Sequence, residues 1–188
     1  MGRSGEPLLE QFVLEPVAEG EEPFADDKFC GARALFRDPS LPPRGHPAAE
    51  SVRWLRPAEV CSAAGAPDPQ LFVDSSSSSD VVQGGLGDCW FLSALGVIAL
   101  RPELLARIFS RWREAPAGGK CTFVFYHDGN WLPVTIDDRL PCDSEGRLLY
   151  ARASTIHEMW VPLVEKAYAK FHGSYEVGTY AMLMPHRS

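Results

Sequence analysis

Cys89 closes a run that reads Gln83-Gly84-Gly85-Leu86-Gly87-Asp88-Cys89-Trp90. A thiol attacks a carbonyl as the thiolate. A helix N-terminus favours that form through its partial positive charge and its unpaired N–H groups. Asp88 has the chemistry of an N-cap, which places Cys89 in the first turn of the helix that follows. Acyl transfer also needs donors for the developing oxyanion. The backbone N–H of Cys89 is one candidate. The side-chain amide of Gln83 is the other, brought back by Gly84, Gly85 and Gly87, which ease a tight turn and a close backbone approach to substrate. The plainer reading of a cysteine that opens an apolar helix is a small buried hydrophobe. The Gln-x5-Cys spacing, the glycines and Trp90 favour the chemical reading, with Cys89 as nucleophile and Gln83 as oxyanion donor.

The elements that must hold this run are readable nearby. Cys89 to Leu100 is apolar all round, as for a helix at the centre of a domain. A second helix is predicted from Pro102 to Trp112, opened by its proline. Cys121–Tyr126 and Trp131–Asp137 read as strands joined by the turn signal Asp128-Gly129, with Leu132, Val134 and Ile136 alternating. Trp160, Leu163, Val164, Ala167, Tyr168 and Phe171 form an i, i+3, i+4 stripe of a last helix, with Glu165, Lys166 and Lys170 on its other face. The fold class is therefore α+β: a buried central helix that starts at Cys89, with a β-hairpin beside it.

Residues 1–23 are acidic and are expected to form a flexible leader, although Leu8, Leu9, Phe12, Val13 and Leu14 could dock. Residues 24–69 are rich in proline and single aromatics, and read as a segment wrapping the core with little regular structure. The run Ser75 to Ser79 reads as a flexible loop.

The net charge of −7 argues against nucleic acid as a partner. Cys30, Cys61, Cys89, Cys121 and Cys142 contain no CxxC pair, which disfavours a zinc site. Reduced thiols in a cytoplasmic setting fit an odd, widely spaced set. The first residues lack the apolar core of a signal peptide. The longest apolar run, Cys89 to Leu100, falls short of the roughly 20 residues that span a bilayer.

Gln83 to Leu92, read as Gln-Gly-x-Leu-Gly-Asp-Cys-Trp-Phe-Leu, resembles the active-site segment of the calpains, the papain-like calcium-dependent cysteine proteases. Trp54-Leu55-Arg56-Pro57-x-Glu59-Val60, Asp137-Asp138-Arg139-Leu140-Pro141, Glu158-Met159-Trp160, Leu163 to Lys170 and His172-Gly173-Ser174-Tyr175-Glu176 resemble further family motifs in order. The resemblance implies the first lobe of a papain-like protease core over residues 24–176, followed by a divergent tail at 177–188. It implies Cys89 as nucleophile and Gln83 as oxyanion donor. It also implies a calcium ion held by the carbonyls of Val73 and Ser75 and the carboxylates of Asp80 and Glu158, a donor set suited to a hard cation. The family commonly has glycine at or near Ser75, where this chain has serines.

Such an enzyme needs a histidine base and an Asn or Asp to orient it. The histidines after Cys89 are His127, His157, His172 and His186, and none has the family context. Two readings follow. The chain is the nucleophile half of a calpain-like endopeptidase that acts on protein substrates once joined to a second lobe, or it is a non-catalytic half-protease that binds substrates, a partner or a regulatory subunit.

Overall fold

The computed structural model describes residues 9, 11–14, 17, 20–42, 46–73, 81–82, 84, 89–112 and 118–180; for residues 89, 90 and 178–180 only the backbone is described. The helices are α1 (Gly31–Leu35), α2 (Pro57–Ala63), α3 (Cys89–Ala99), α4 (Pro102–Ile108), α5 (Trp160–His172) and α6 (Tyr175–Tyr180). The strands are β1 (Arg53–Leu55), β2 (Val81–Val82), β3 (Lys120–His127), β4 (Asn130–Asp137), β5 (Leu140–Cys142) and β6 (Arg152–Ala153). Among the described residues they pair as three separate antiparallel two-stranded sheets: β1 with β5, β2 with β6, and β3 with β4. This is the α+β class read from the sequence.

The apolar stripe of α5 packs inward, with Trp160, Leu163, Val164 and Ala167 fully buried and Tyr168 and Phe171 half-buried against the core. Gly173 ends the helix at φ 105, a left-handed conformation that glycine adopts without a Cβ clash. The other face is not left to solvent. Glu165 and Lys166 are buried, and Lys170 is half-buried. Charge on a helix face signals water only when no partner lies opposite, and here partners do. Lys166 Nζ is paired with the Asp137 carboxylate and donates to the carbonyls of Asp137 (3.0 Å) and Arg139 (2.5 Å). Lys170 Nζ reaches Asp26 (2.5 Å) and the Thr135 carbonyl (2.6 Å). α5 is thus enclosed on both faces.

The hairpin forms as read, with each strand slightly longer. Asp128 (φ 46) and Gly129 (φ 82) both take the positive φ that the tight hairpin turn requires. Phe123, Val134 and Ile136 point into the core. α4 starts at Pro102 but stops at Ile108, short of the expected Trp112. Aromatic packing accounts for the early stop. Phe109 is fully buried among Phe12, Phe72, Trp112 and Phe123, with centroids 5.1–5.6 Å away. Trp112 meanwhile donates its indole N–H to the Val13 carbonyl at 2.9 Å. Leu9 and Phe12 enter the core through this contact.

The segment 24–69 holds more regular structure than its composition suggests. α2 opens at Pro57, and the Glu59 carboxylate accepts the Arg56 N–H at 2.8 Å. β1 is locked in register with β5. Phe29, Leu35 and Phe36 join Tyr150 and Tyr175 in a second, smaller apolar cluster.

α3 is buried on one face only. Phe91, Leu92, Leu95 and Ala99 are covered, whereas Ser93, Ala94, Val97 and Leu100 are exposed, Val97 by 64%. The helix packs on β2 and α4 and stacks Phe91 on Tyr168 of α5 (4.3 Å). No described element lies over its opposite side.

Candidate active site

α3 begins at Cys89, so this residue's backbone sits in the first turn of an 11-residue helix. The helix is fastened at that end by Phe91 on Tyr168 and by Leu92 and Leu95 in the core. Gln83, Gly85, Gly87 and Asp88 lie outside the described residues, as does the Cys89 side chain.

Upstream, β2 binds the chain to β6, with Val81 opposite Ala153 and Val82 opposite Arg152. Gly84 follows directly. A Cβ built there would meet the backbone carbon and oxygen of Tyr150 at 2.2 Å. No positive φ is needed at this residue, so the glycine serves space and not backbone conformation. Its close approach is to the Tyr150 backbone, two residues before β6. The sequence singled out Gly84 for the turn and gave no hint of this neighbour.

Three of the other four thiols are poor nucleophiles by environment. Cys61, Cys121 and Cys142 are buried, and Cys30 is half-buried with its Sγ directed at the Asp27 carbonyl. Burial pushes the Cys142 thiol up to about 12 and raises Cys61 and Cys121 as well. All four are unpaired, as expected of reduced thiols.

Val73 and Glu158, two of the expected calcium ligands, are brought together. The segment 70–73 is laced to the start of α5. Gln70 N–H donates to the His157 carbonyl (2.8 Å), Met159 N–H to the Gln70 carbonyl (2.9 Å), and Trp160 N–H to the Leu71 carbonyl (3.1 Å). The Glu158 carboxylate, buried, accepts the Val73 N–H at 3.1 Å. Ser75 and Asp80 lie outside the described residues. Among the described residues no group of three His, Cys, Asp or Glu side chains is arranged around a metal position.

The described histidines make local contacts, and His127 Nε2 lies 3.3 Å from the carboxylate of Asp128 in the hairpin turn. His127 pairs with Asn130 across the hairpin and sets its ring edge-on to Phe171 at 5.3 Å. His172 packs on Tyr168 and Phe171, and His46 on Phe36 and Tyr150. His157 serves through its carbonyl. His186 is outside the described residues.

Sequence reasoning missed the ionic layer under α5. Asp137 is held by Lys166, by Arg139 Nε (2.8 Å) and by the Asp26 N–H (2.8 Å), and Arg56 is paired with Asp138. Burial raises the Asp137 carboxyl, but Lys166 and these donors outweigh it and hold the group below the usual range. Burial raises Asp138 and lowers Lys166. The signal was two adjacent aspartates at the end of an apolar strand, a place where solvent is scarce.

A profile of calpain family cysteine proteases matches residues 24–184. Human calpain-12 is 41% identical over 157 residues, covering 76% of this chain and 21% of that protein. The calpain-type cysteine protease DEK1 of Arabidopsis thaliana is 40% identical over 161 residues, covering 85% of this chain and 7% of the relative. Mouse calpain-10 is 41% identical over 160 residues, with 77% and 23% covered. The chain thus spans less than a quarter of the length of each of these relatives. No described helix is long and apolar enough to cross a membrane.

Proposed function

The chain belongs to the calpain family of cysteine proteases, and we propose that it carries the nucleophile half of an endopeptidase site. Cys89 attacks the carbonyl carbon of a peptide bond in a protein substrate. The oxyanion that forms is received by the Cys89 N–H and the Gln83 side-chain amide. Collapse of the tetrahedral intermediate breaks the C–N bond, expels the amine half of the substrate with a proton returned by the base, and leaves an acyl-enzyme on Cys89; water then hydrolyses the thioester to the carboxylic acid and frees the thiol. The observation that carries this reading is the start of α3 at Cys89, which supplies a helix N-terminus to a thiolate.

No described histidine is placed as the base, so turnover is assigned to a larger protein in which a second lobe provides it. A peptide substrate is expected to remain intact with the 188-residue chain alone. In the full-length protein, turnover is expected to vanish on Cys89→Ala. Hydrolysis by the chain alone that Cys89→Ala abolishes would place the base within this chain. Full-length turnover that survives the substitution would reject the nucleophile.

Calcium belongs to the same reading, with Val73, Ser75, Asp80 and Glu158 as ligands. The buried Glu158 beside Val73 supports it, since an anionic oxygen donor there suits a hard cation. When bound, the ion would neutralise the carboxylates and tie the segment from Val73 to Asp80 to the start of α5. The unpaired thiols support a reducing, cytoplasmic setting. A second lobe or a regulatory subunit is the expected partner.

A further inference from the structure

We propose that Gly84 is a positioning residue for the oxyanion side of the site, acting through the backbone of Tyr150; this rests on the reading of Gln83 as oxyanion donor. The pairing of Val81 with Ala153 and Val82 with Arg152, continued two places, sets Gly84 opposite Tyr150. In a regular ladder a side chain stands away from the neighbouring strand. At Gly84 a Cβ would instead drive into the Tyr150 carbonyl carbon and oxygen, both 2.2 Å away, with the Tyr150 Cα at 2.5 Å. The chain therefore leaves the ladder at Gly84 with its backbone pressed against Tyr150, two residues before β6. The residue bonded to its N-terminal side is Gln83.

The wall it presses on is held from both sides. The Glu165 carboxylate on α5, itself buried, accepts the Ala151 N–H with both oxygens, at 3.0 and 3.2 Å. The Tyr150 ring stacks on that of Tyr175, with centroids 4.3 Å apart. Backbone pinned in this way does not retreat from an added methyl, so the methyl moves the Gly84 side. A shift of a few tenths of an ångström in an oxyanion donor weakens a tetrahedral adduct. It leaves an attack that makes no oxyanion nearly untouched.

The test uses the full-length protease and two probes of Cys89. A peptide aldehyde forms a tetrahedral hemithioacetal and needs the oxyanion donors; iodoacetamide alkylates by displacement and does not. Gly84→Ala is expected to weaken aldehyde inhibition about tenfold or more while the alkylation rate stays within about twofold. Gln83→Ala should do the same. Unchanged aldehyde affinity in Gly84→Ala, with a loss in Gln83→Ala, overturns the role of Gly84 alone. Unchanged affinity in Gln83→Ala overturns the donor reading beneath it. Parallel loss of both probes in Gly84→Ala reports general collapse and also overturns the proposal. If Gly84→Ala does not fold, Glu165→Gln, which adds no heavy atoms, carries the test. A selective loss of aldehyde affinity supports the proposal, and unchanged affinity overturns it.

Discussion

Lys166 and Asp137 form an ion pair in which neither side chain reaches solvent. Each Lys166 proton has an acceptor, and Asp137 has donors from Arg139 and Asp26 besides. Removing one partner strands a buried charge, which costs more than the pair itself contributes. Lys166→Met is expected to lower the unfolding free energy by about 3–5 kcal/mol. The double variant Lys166→Met/Asp137→Asn should recover part of that loss. Urea denaturation measures both, and a single-variant loss under about 1 kcal/mol would contradict the assignment.

The same carboxylate sets a pH dependence. Asp137 is held below its ordinary value in the folded chain, because Lys166 and the neighbouring donors outweigh the opposing effect of burial. Its contribution is therefore present above the unfolded value and is lost as pH falls through the folded one. Asp138, raised by burial, works in the opposite direction. Stability is expected to decline below about pH 4. Asp137→Asn should be less stable at neutral pH and show a shallower acid decline. Equal acid slopes for the two proteins, read from urea midpoints across pH, would exclude Asp137 as the source.

Calcium is expected to raise the thermal midpoint of the chain relative to the chelated sample. Saturation at a hundred times the dissociation constant corresponds to about 2.7 kcal/mol. Glu158→Gln should remove most of the increment, and isothermal titration should show the matching loss of heat. An increment that persists in Glu158→Gln would place the ion on other ligands.

Phe12 is expected to matter despite its position before the core segment. It is buried against Phe109, and the adjacent Val13 carbonyl accepts the Trp112 indole. Phe12→Ala should cost about 3 kcal/mol. A variant as stable as the parent chain would mean that this contact adds nothing to the fold.

Periodicity and turn chemistry made three elements legible: the start of α3 at Cys89, the β3–β4 hairpin around Asp128-Gly129, and the extent of α5. Each is local, set by the onset of an apolar run, by positive φ or by a 3.6-residue stripe. The missed features depend on what lies opposite in space. Glu165 and Lys166 carry the pattern of a solvated face, and only the fold brings Ala151 and Asp137 against them. Val97 looks like core, yet the fold leaves it bare. Gly84 reads as a turn residue, while its neighbour Tyr150 is 66 positions away by simple subtraction, beyond any local pattern. Within the expected calcium set, the contact between Val73 and Glu158 is the one on which the described residues bear.

The three small sheets share no strand, and α5 packs against β3, β4, β5 and β6. A two-stranded pair by itself is marginal in water. Cooperativity in this lobe therefore passes through a single helix: each sheet is coupled to the others chiefly by its docking on α5. Amide hydrogens in the middle of α5 should exchange only when the whole lobe unfolds. Those of the short β2–β6 pair, on which α3 packs, should exchange through smaller openings. Among the described sheets, the pair on which α3 docks is thus the one with the lowest cost of local opening.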